Sequence, residues 1–132
     1  KKYFDTGDRE VMVCELDFNR LLHLSTEDFE MEPIPVYPAV DRDLSLVVNE
    51  SVTWSQITEA VYSGPAGKLE NMTFAGIYRG KGVERGKKSL TLSLRFRDED
   101  GTLTHEEVDG YEKAILDRIT AETGAGLRGA EI

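Results

Sequence analysis

From Ser89 to Arg97 the chain alternates strictly, with Leu90, Leu92, Leu94 and Phe96 set between Ser89, Thr91, Ser93, Arg95 and Arg97. Successive side chains of a strand point to opposite faces, so this pattern predicts a strand with one apolar and one polar face. Asp43–Val48 predicts a second strand, with Leu44, Leu46 and Val48 on one side. Trp54, Ile57, Ala60 and Val61 instead recur at the spacing of a helix face, with Thr53 or Ser51 placed to cap it. Ser63-Gly64-Pro65-Ala66-Gly67 ends that helix, since neither Gly nor Pro continues one well. Leu69–Tyr78, with Phe74, Ile77 and Tyr78 as its bulky members, predicts a strand that reaches the leucine-rich one through the glycine-rich loop Gly80–Gly86. Thr104 and Glu107 have the spacing of a capping box. They precede a helix that turns Val108, Ile115, Leu116 and Ile119 inward and ends near Gly124. Ala125-Gly126-Leu127-Arg128 supplies a short last strand.

The order from residue 42 onward is β-α-β-β-α-β, which predicts an α+β fold: a ferredoxin-like split β-α-β sandwich, an antiparallel sheet with two helices on one face. The other face is left open. Upstream, Val11–Phe18 reads as a strand and Asn19–Leu22 as a short helical turn. Cys14, among Val11, Val13 and Leu16, is expected to be a buried, reduced thiol. Ser25–Pro38 is acidic and holds three of the four prolines, a composition that suits an extended linker. A domain boundary therefore falls there, with residues 1–35 closing a preceding domain and 36–132 forming the second. Lys1–Asp8 lacks the apolar core of a signal peptide and does not resemble a translation start, so the chain reads as a piece of a longer protein.

Hydrophobic residues make up 39% of the chain and charged residues 31%, close to the balance of ordinary globular domains. No stretch approaches the roughly 18 apolar residues of a membrane span, so no membrane partner is expected. The net charge of −9 argues at first against nucleic acid, because phosphate binding draws on clustered Lys and Arg. The average hides an asymmetry. Between Tyr78 and Arg97 stand seven bases against the single acid Glu84, whereas Asp5–Glu32 holds nine acids against Arg9 and Arg20. The local field decides what a surface attracts.

Catalytic chemistry finds little support. The Gly80–Gly86 loop lacks the Gly-Lys-Ser/Thr ending and following helix of a phosphate-binding loop. His23 and His105 are far apart and without Cys or carboxylates at ligand spacing, so no metal or cofactor site is expected in the chain itself. Asp98, Glu99 and Asp100 read as a solvated turn. What survives is electrostatic: Ser89, Thr91, Ser93, Arg95 and Arg97 face the open side of the sheet, beside the basic loop. Such a floor suits single-stranded RNA, held by its phosphates and by stacking on aromatic or guanidinium planes, and Tyr78 can supply a ring. On charge and sheet geometry the expected RNA contacts are Arg42, Tyr78, Arg79, Lys81, Arg85, Lys87, Lys88, Arg95 and Arg97. A different class of function, a ferredoxin-like module that docks protein through its open sheet or edge strand, fits the same fold.

Four blocks in order carry a resemblance: Pro38-Ala39-Val40-Asp41-Arg42-Asp43-Leu44-Ser45-Leu46-Val47-Val48; Tyr78-Arg79-Gly80-Lys81-Gly82-Val83 with Gly86-Lys87-Lys88-Ser89-Leu90; Thr102-Leu103-Thr104 with Glu107-Val108; and Gly124-Ala125-Gly126-Leu127-Arg128. The chain resembles the ferredoxin-fold anticodon-binding domain at the C-terminus of bacterial-type phenylalanyl-tRNA synthetase β subunits. Val13–Phe18 with Leu21-Leu22 looks like the close of the synthetase-like, inactive domain that precedes it. Where family members often carry Phe-Asp, this sequence has Ala75-Gly76, with Phe74 one position earlier. The resemblance implies a non-catalytic module that holds the anticodon stem-loop of phenylalanine tRNA within a cytoplasmic α2β2 heterotetramer. It also implies that ATP and Mg²⁺ serve the full ligase, with the chemistry carried out by the α subunit and outside this chain.

Overall fold

The computed structural model describes residues 7, 10–25, 31 and 33–128. It divides into two compact units, Lys1–Pro33 and Ile34–Ile132. In the first, α1 (Phe18–Leu24) is a short helix whose N-cap Asp17 accepts from the Arg20 amide. Two expectations fail here. Val11–Phe18 is not a strand: residues 11–17 have no regular structure, and Phe18 opens the helix. Cys14 is exposed, not buried. The cause is shared. An apolar stretch becomes a buried strand only against a pairing edge and a second layer, and the described residues offer it neither, so Met12, Val13 and Leu16 lie at 68–93% exposure. The linker expected over residues 25–38 lies partly outside the described residues, and those described there hold no helix or strand.

The second unit carries β1 (Val40–Asn49), α2 (Trp54–Tyr62), β2 (Leu69–Tyr78), β3 (Lys87–Phe96), α3 (His105–Thr123) and β4 (Gly126–Leu127). The sheet order is β2-β3-β1-β4, and every pairing is antiparallel. This is the split β-α-β arrangement expected from the alternation. β1 and β3 form the centre in unbroken register from Val40↔Phe96 to Asn49↔Lys87. Residues directly opposite share a face, so Leu44, Leu46 and Val48 stand beside Leu92, Leu90 and Lys88, and Ser45 beside Thr91. The leucines close against Ile57, Ala60 and Val61 of α2 and Val108, Ile115 and Ile119 of α3, all fully buried. Both helices lie on that face.

The helix ends follow their sequence signals. Thr53 with Gln56 and Thr104 with Glu107 each form a complete capping box, satisfying amides that the first turn leaves free. Gly124, at φ 67°, closes α3 in the left-handed conformation that a residue without Cβ adopts most readily. Trp54, at the start of the apolar face of α2, packs partly buried against the core, and its ring meets Phe74 edge-on at 5.5 Å.

Gly67 is the tightest backbone position. Its φ is 62°, and a Cβ there would stand 2.4 Å from Cδ1 of Tyr111, whose ring stacks on Phe96. Gly67→Ala therefore combines a left-handed strain with an overpacked contact, and a loss of about 2–4 kcal/mol of stability is expected, measured by urea unfolding.

Candidate nucleic-acid interface

The face of the sheet away from the helices is built by parity. Asp41, Asp43, Ser45 and Val47 of β1 share it with Ser89, Thr91, Ser93 and Arg95 of β3, and on β2 with Asn71, Thr73, Gly76 and Tyr78. It is mostly polar and, within the second unit, no described helix packs on it; Ser45 and Thr91 hydroxyls join across strands at 3.0 Å. Gly76 leaves open space, with no atom within 4 Å of where a Cβ would stand. At one end the face runs into the Gly80–Gly86 loop. There Tyr78 is 44% exposed, and the Arg128 guanidinium lies 4.8 Å from its ring centroid.

Arg128 was not among the expected contacts. Its amide donates to the Ser45 carbonyl at 2.8 Å, so it continues from β4 at the opposite edge of the sheet from Tyr78. The registers put Val47 and Ser89 between the two, and Ser89 is only 1% exposed, its hydroxyl without a hydrogen-bond partner among the described residues. The sequence signal for Arg128 was present in the last short strand, but a contact between opposite edges of a sheet is not legible from spacing.

The other expected residues divide by their surroundings. Lys81 and Arg85 are exposed in the loop, and among the described residues neither has a carboxylate within ion-pair distance. Arg79 donates from Nε to Glu50 Oε1 at 2.9 Å and Oε2 at 3.1 Å. Lys87 pairs with Glu84 at 2.6 Å. Arg95 grips Asp41 with two parallel bonds, Nε to Oδ1 at 2.8 Å and Nη2 to Oδ2 at 3.0 Å. Arg97 pairs with Glu70 at 2.7 Å and donates to the Tyr37 carbonyl. Two are on the other side. Arg42 faces the helices, pairing with Asp109 at 3.3 Å and Glu112 at 3.6 Å and meeting His105 Nδ1 at 3.1 Å. Lys88 is 8% exposed, opposite buried Val48, and its Nζ donates to the Glu50 carbonyl at 2.9 Å. The structure thus brings Tyr78, Arg79, Lys81, Arg85, Lys87 and Arg128 to one end of the sheet, and sets Arg95 and Arg97 further along it.

These pairs shape the acid response. The hydrogen bond from Arg95 holds Asp41 below its ordinary 3.8, and Arg79 and Lys87 hold Glu50 and Glu84 below 4.5. A carboxylate with a lowered folded pKa binds fewer protons folded than unfolded. Its contribution is complete above the unfolded value and is lost as pH falls through the lower folded one. The melting temperature is expected to hold steady from pH 7 to about 5 and to decline progressively below 4.5, as a scan in buffers of constant ionic strength will show.

Among the described residues no helix is long and apolar enough to cross a membrane, and no group of His, Cys, Asp and Glu is placed to hold a metal ion.

Comparison with known proteins gives consistent matches. The family model described as ferredoxin-fold anticodon binding domain matches residues 35–128. The chain is 38% identical over 121 residues to the phenylalanine–tRNA ligase beta subunit of Halalkalibacterium halodurans, a match covering 92% of this chain and 15% of that protein. It is 36% identical over 121 residues to the beta subunit of Geobacillus kaustophilus and 35% over 121 residues to that of Bacillus subtilis, with the same coverage. The chain spans about 15% of the length of these relatives.

Proposed function

The chain belongs to the ferredoxin-fold anticodon binding domain family, and from that premise we propose that it holds the anticodon stem-loop of phenylalanine tRNA as part of a phenylalanine–tRNA ligase β subunit. The observation that carries the reading is the polar sheet face opposite the two helices, ending in Tyr78, Lys81, Arg85 and Arg128. In this reading the cations of the loop end that have no carboxylate partner among the described residues meet phosphates, and bases lie on the Tyr78 ring and the hydroxyl-rich floor. Arg79 and Lys87 join by exchanging a carboxylate for a phosphate, which nearly cancels in energy and makes them weaker contributors than their charge suggests. Residues 36–132 are the binding module, and residues 1–35 close a synthetase-like domain. ATP, Mg²⁺ and the aminoacylation chemistry belong to other parts of a cytoplasmic α2β2 assembly, leaving this chain to position the tRNA.

The test is fluorescence anisotropy of the 132-residue chain with a phenylalanine tRNA anticodon hairpin and with the same hairpin carrying an altered loop, at two salt concentrations. Three phosphate contacts on single-stranded RNA give a log–log salt slope of about −2. Tighter binding to the native loop with such a slope supports the reading. Equal binding of both hairpins removes anticodon recognition, and no binding at low salt favours a protein-docking module.

A further inference from the structure

A groove of about 440 Å³ lies across β1, β3 and the edge strand β2 on the open face, away from the basic loop, lined by Asp41 and Asp43 of β1, Asn71 and Thr73 of β2, and Ser93 and Arg95 of β3. Its chemistry differs from that of the loop end. Arg95 is held by both oxygens of Asp41, so the cation in the groove is already neutralised. Asp43 has no ion-pair partner among the described residues: Ser93 donates its hydroxyl to Oδ1, and Oδ2 has no partner there either. The side chains of Asn71 and Thr73 likewise make no hydrogen bond to a described residue, and both are exposed. A phosphate brought here would face two carboxylates, so the groove repels the RNA backbone. It does not repel a base. A carboxylate oxygen with a free lone pair accepts from an amino group and rejects a carbonyl, the pairing by which Asp and Glu read cytosine N4.

We propose that this groove is a base-reading subsite in which Asp43 Oδ2 accepts a hydrogen bond from the exocyclic amino group of an extruded adenine or cytosine, with Asn71 and Thr73 meeting the rest of its edge. The inference rests on the RNA-binding reading above and deepens it. One free oxygen suits one amino donor. Uracil and hypoxanthine carry a carbonyl where cytosine and adenine carry the amino group, so at that atom they set a second acceptor against the carboxylate oxygen and form no hydrogen bond. The groove therefore supplies selectivity while the loop end supplies attraction. It also accounts for acids standing on a face that binds a polyanion: they penalise a ligand that offers only backbone.

The test compares hairpins whose loop is uridine except at one central position, occupied in turn by adenosine, inosine, cytidine or uridine, against the wild-type chain and Asp43→Asn. Asn keeps an acceptor for Ser93 but replaces the free anionic oxygen. The wild type is expected to prefer adenosine over inosine and cytidine over uridine by about tenfold at one loop position, the scale of a single charge-assisted hydrogen bond. Asp43→Asn is expected to level those preferences while leaving the salt slope unchanged. Tighter binding of every hairpin by Asp43→Asn, without change in preference, would overturn the proposal, because Asp43 would then be only a repulsive charge. So would a wild type that binds the hairpins without discriminating. If the wild type binds no hairpin and no phenylalanine tRNA anticodon hairpin at low salt, the RNA-binding reading itself fails and this subsite falls with it.

Discussion

Phe96→Ala is expected to remove about 3–5 kcal/mol of stability. Phe96 is fully buried at the end of β3, where its register places it opposite both Val40 of β1 and Leu69 of β2. Its ring stacks on Tyr111 of α3 with centroids 6.1 Å apart and planes 24° apart. Truncation forfeits the transfer energy of the ring and leaves a cavity among three strands and a helix, where a paired backbone prevents collapse. Domains of this size are held by roughly 5–15 kcal/mol, so the loss is a large share of the total. Urea unfolding followed by the fluorescence of Trp54, the one tryptophan, measures it directly. A loss under about 1 kcal/mol would mean that the Phe96 site relaxes freely and that the strand ends are not rigid.

The second large effect concerns binding. Lys81→Ala/Arg85→Ala/Arg128→Ala is expected to weaken hairpin binding by about a hundredfold and to flatten the salt slope by about 2, with melting temperature little changed. All three cations are at the loop end and none is held by a carboxylate among the described residues, so their full charge is available to phosphates. Loss of Arg128 also removes the guanidinium 4.8 Å from the Tyr78 ring centroid, which opens that face of the ring to a base and partly offsets the weakening. Arg42→Ala gives the opposite pattern: it breaks contacts to Asp109, Glu112 and His105 on the helix side, lowering stability while leaving the salt slope intact. A triple variant that binds as the wild type does would move the interface elsewhere.

Much of the fold was legible because its signals are local. Alternation in β1 and β3, the capping boxes at Thr53 and Thr104, and Gly124 past the end of α3 all act within a few residues, and the structure realises each. The segment at Val11–Phe18 misled because its pattern matches a strand while strand formation depends on a neighbour that the described residues do not supply. At the interface the legible part was parity. Ser89, Thr91, Ser93 and Arg95 share the open face as alternation requires, and the same rule applied to Leu44 and Leu90 assigns Arg42 and Lys88 to the helix side. Ion pairing was not legible. Arg95 and Asp41 are 54 residues apart and Arg79 and Glu50 are 29 apart, and only the strand register and loop path join them. Charge counts along the chain therefore overstated how many cations are free.

The central claim is that RNA meets the open sheet face at its Tyr78 end. Amide chemical-shift mapping of the ¹⁵N-labelled chain, titrated with the phenylalanine tRNA anticodon hairpin, tests it residue by residue. The predicted result is a contiguous set of shifts over Gly76–Lys87, Ser89, Thr91, Ser93 and Arg128, extending to Asp43 and Thr73 where the groove is occupied, with α2 and the outer side of α3 unchanged. Shifts confined to the helix face, or to the segment before Pro33, would contradict the claim.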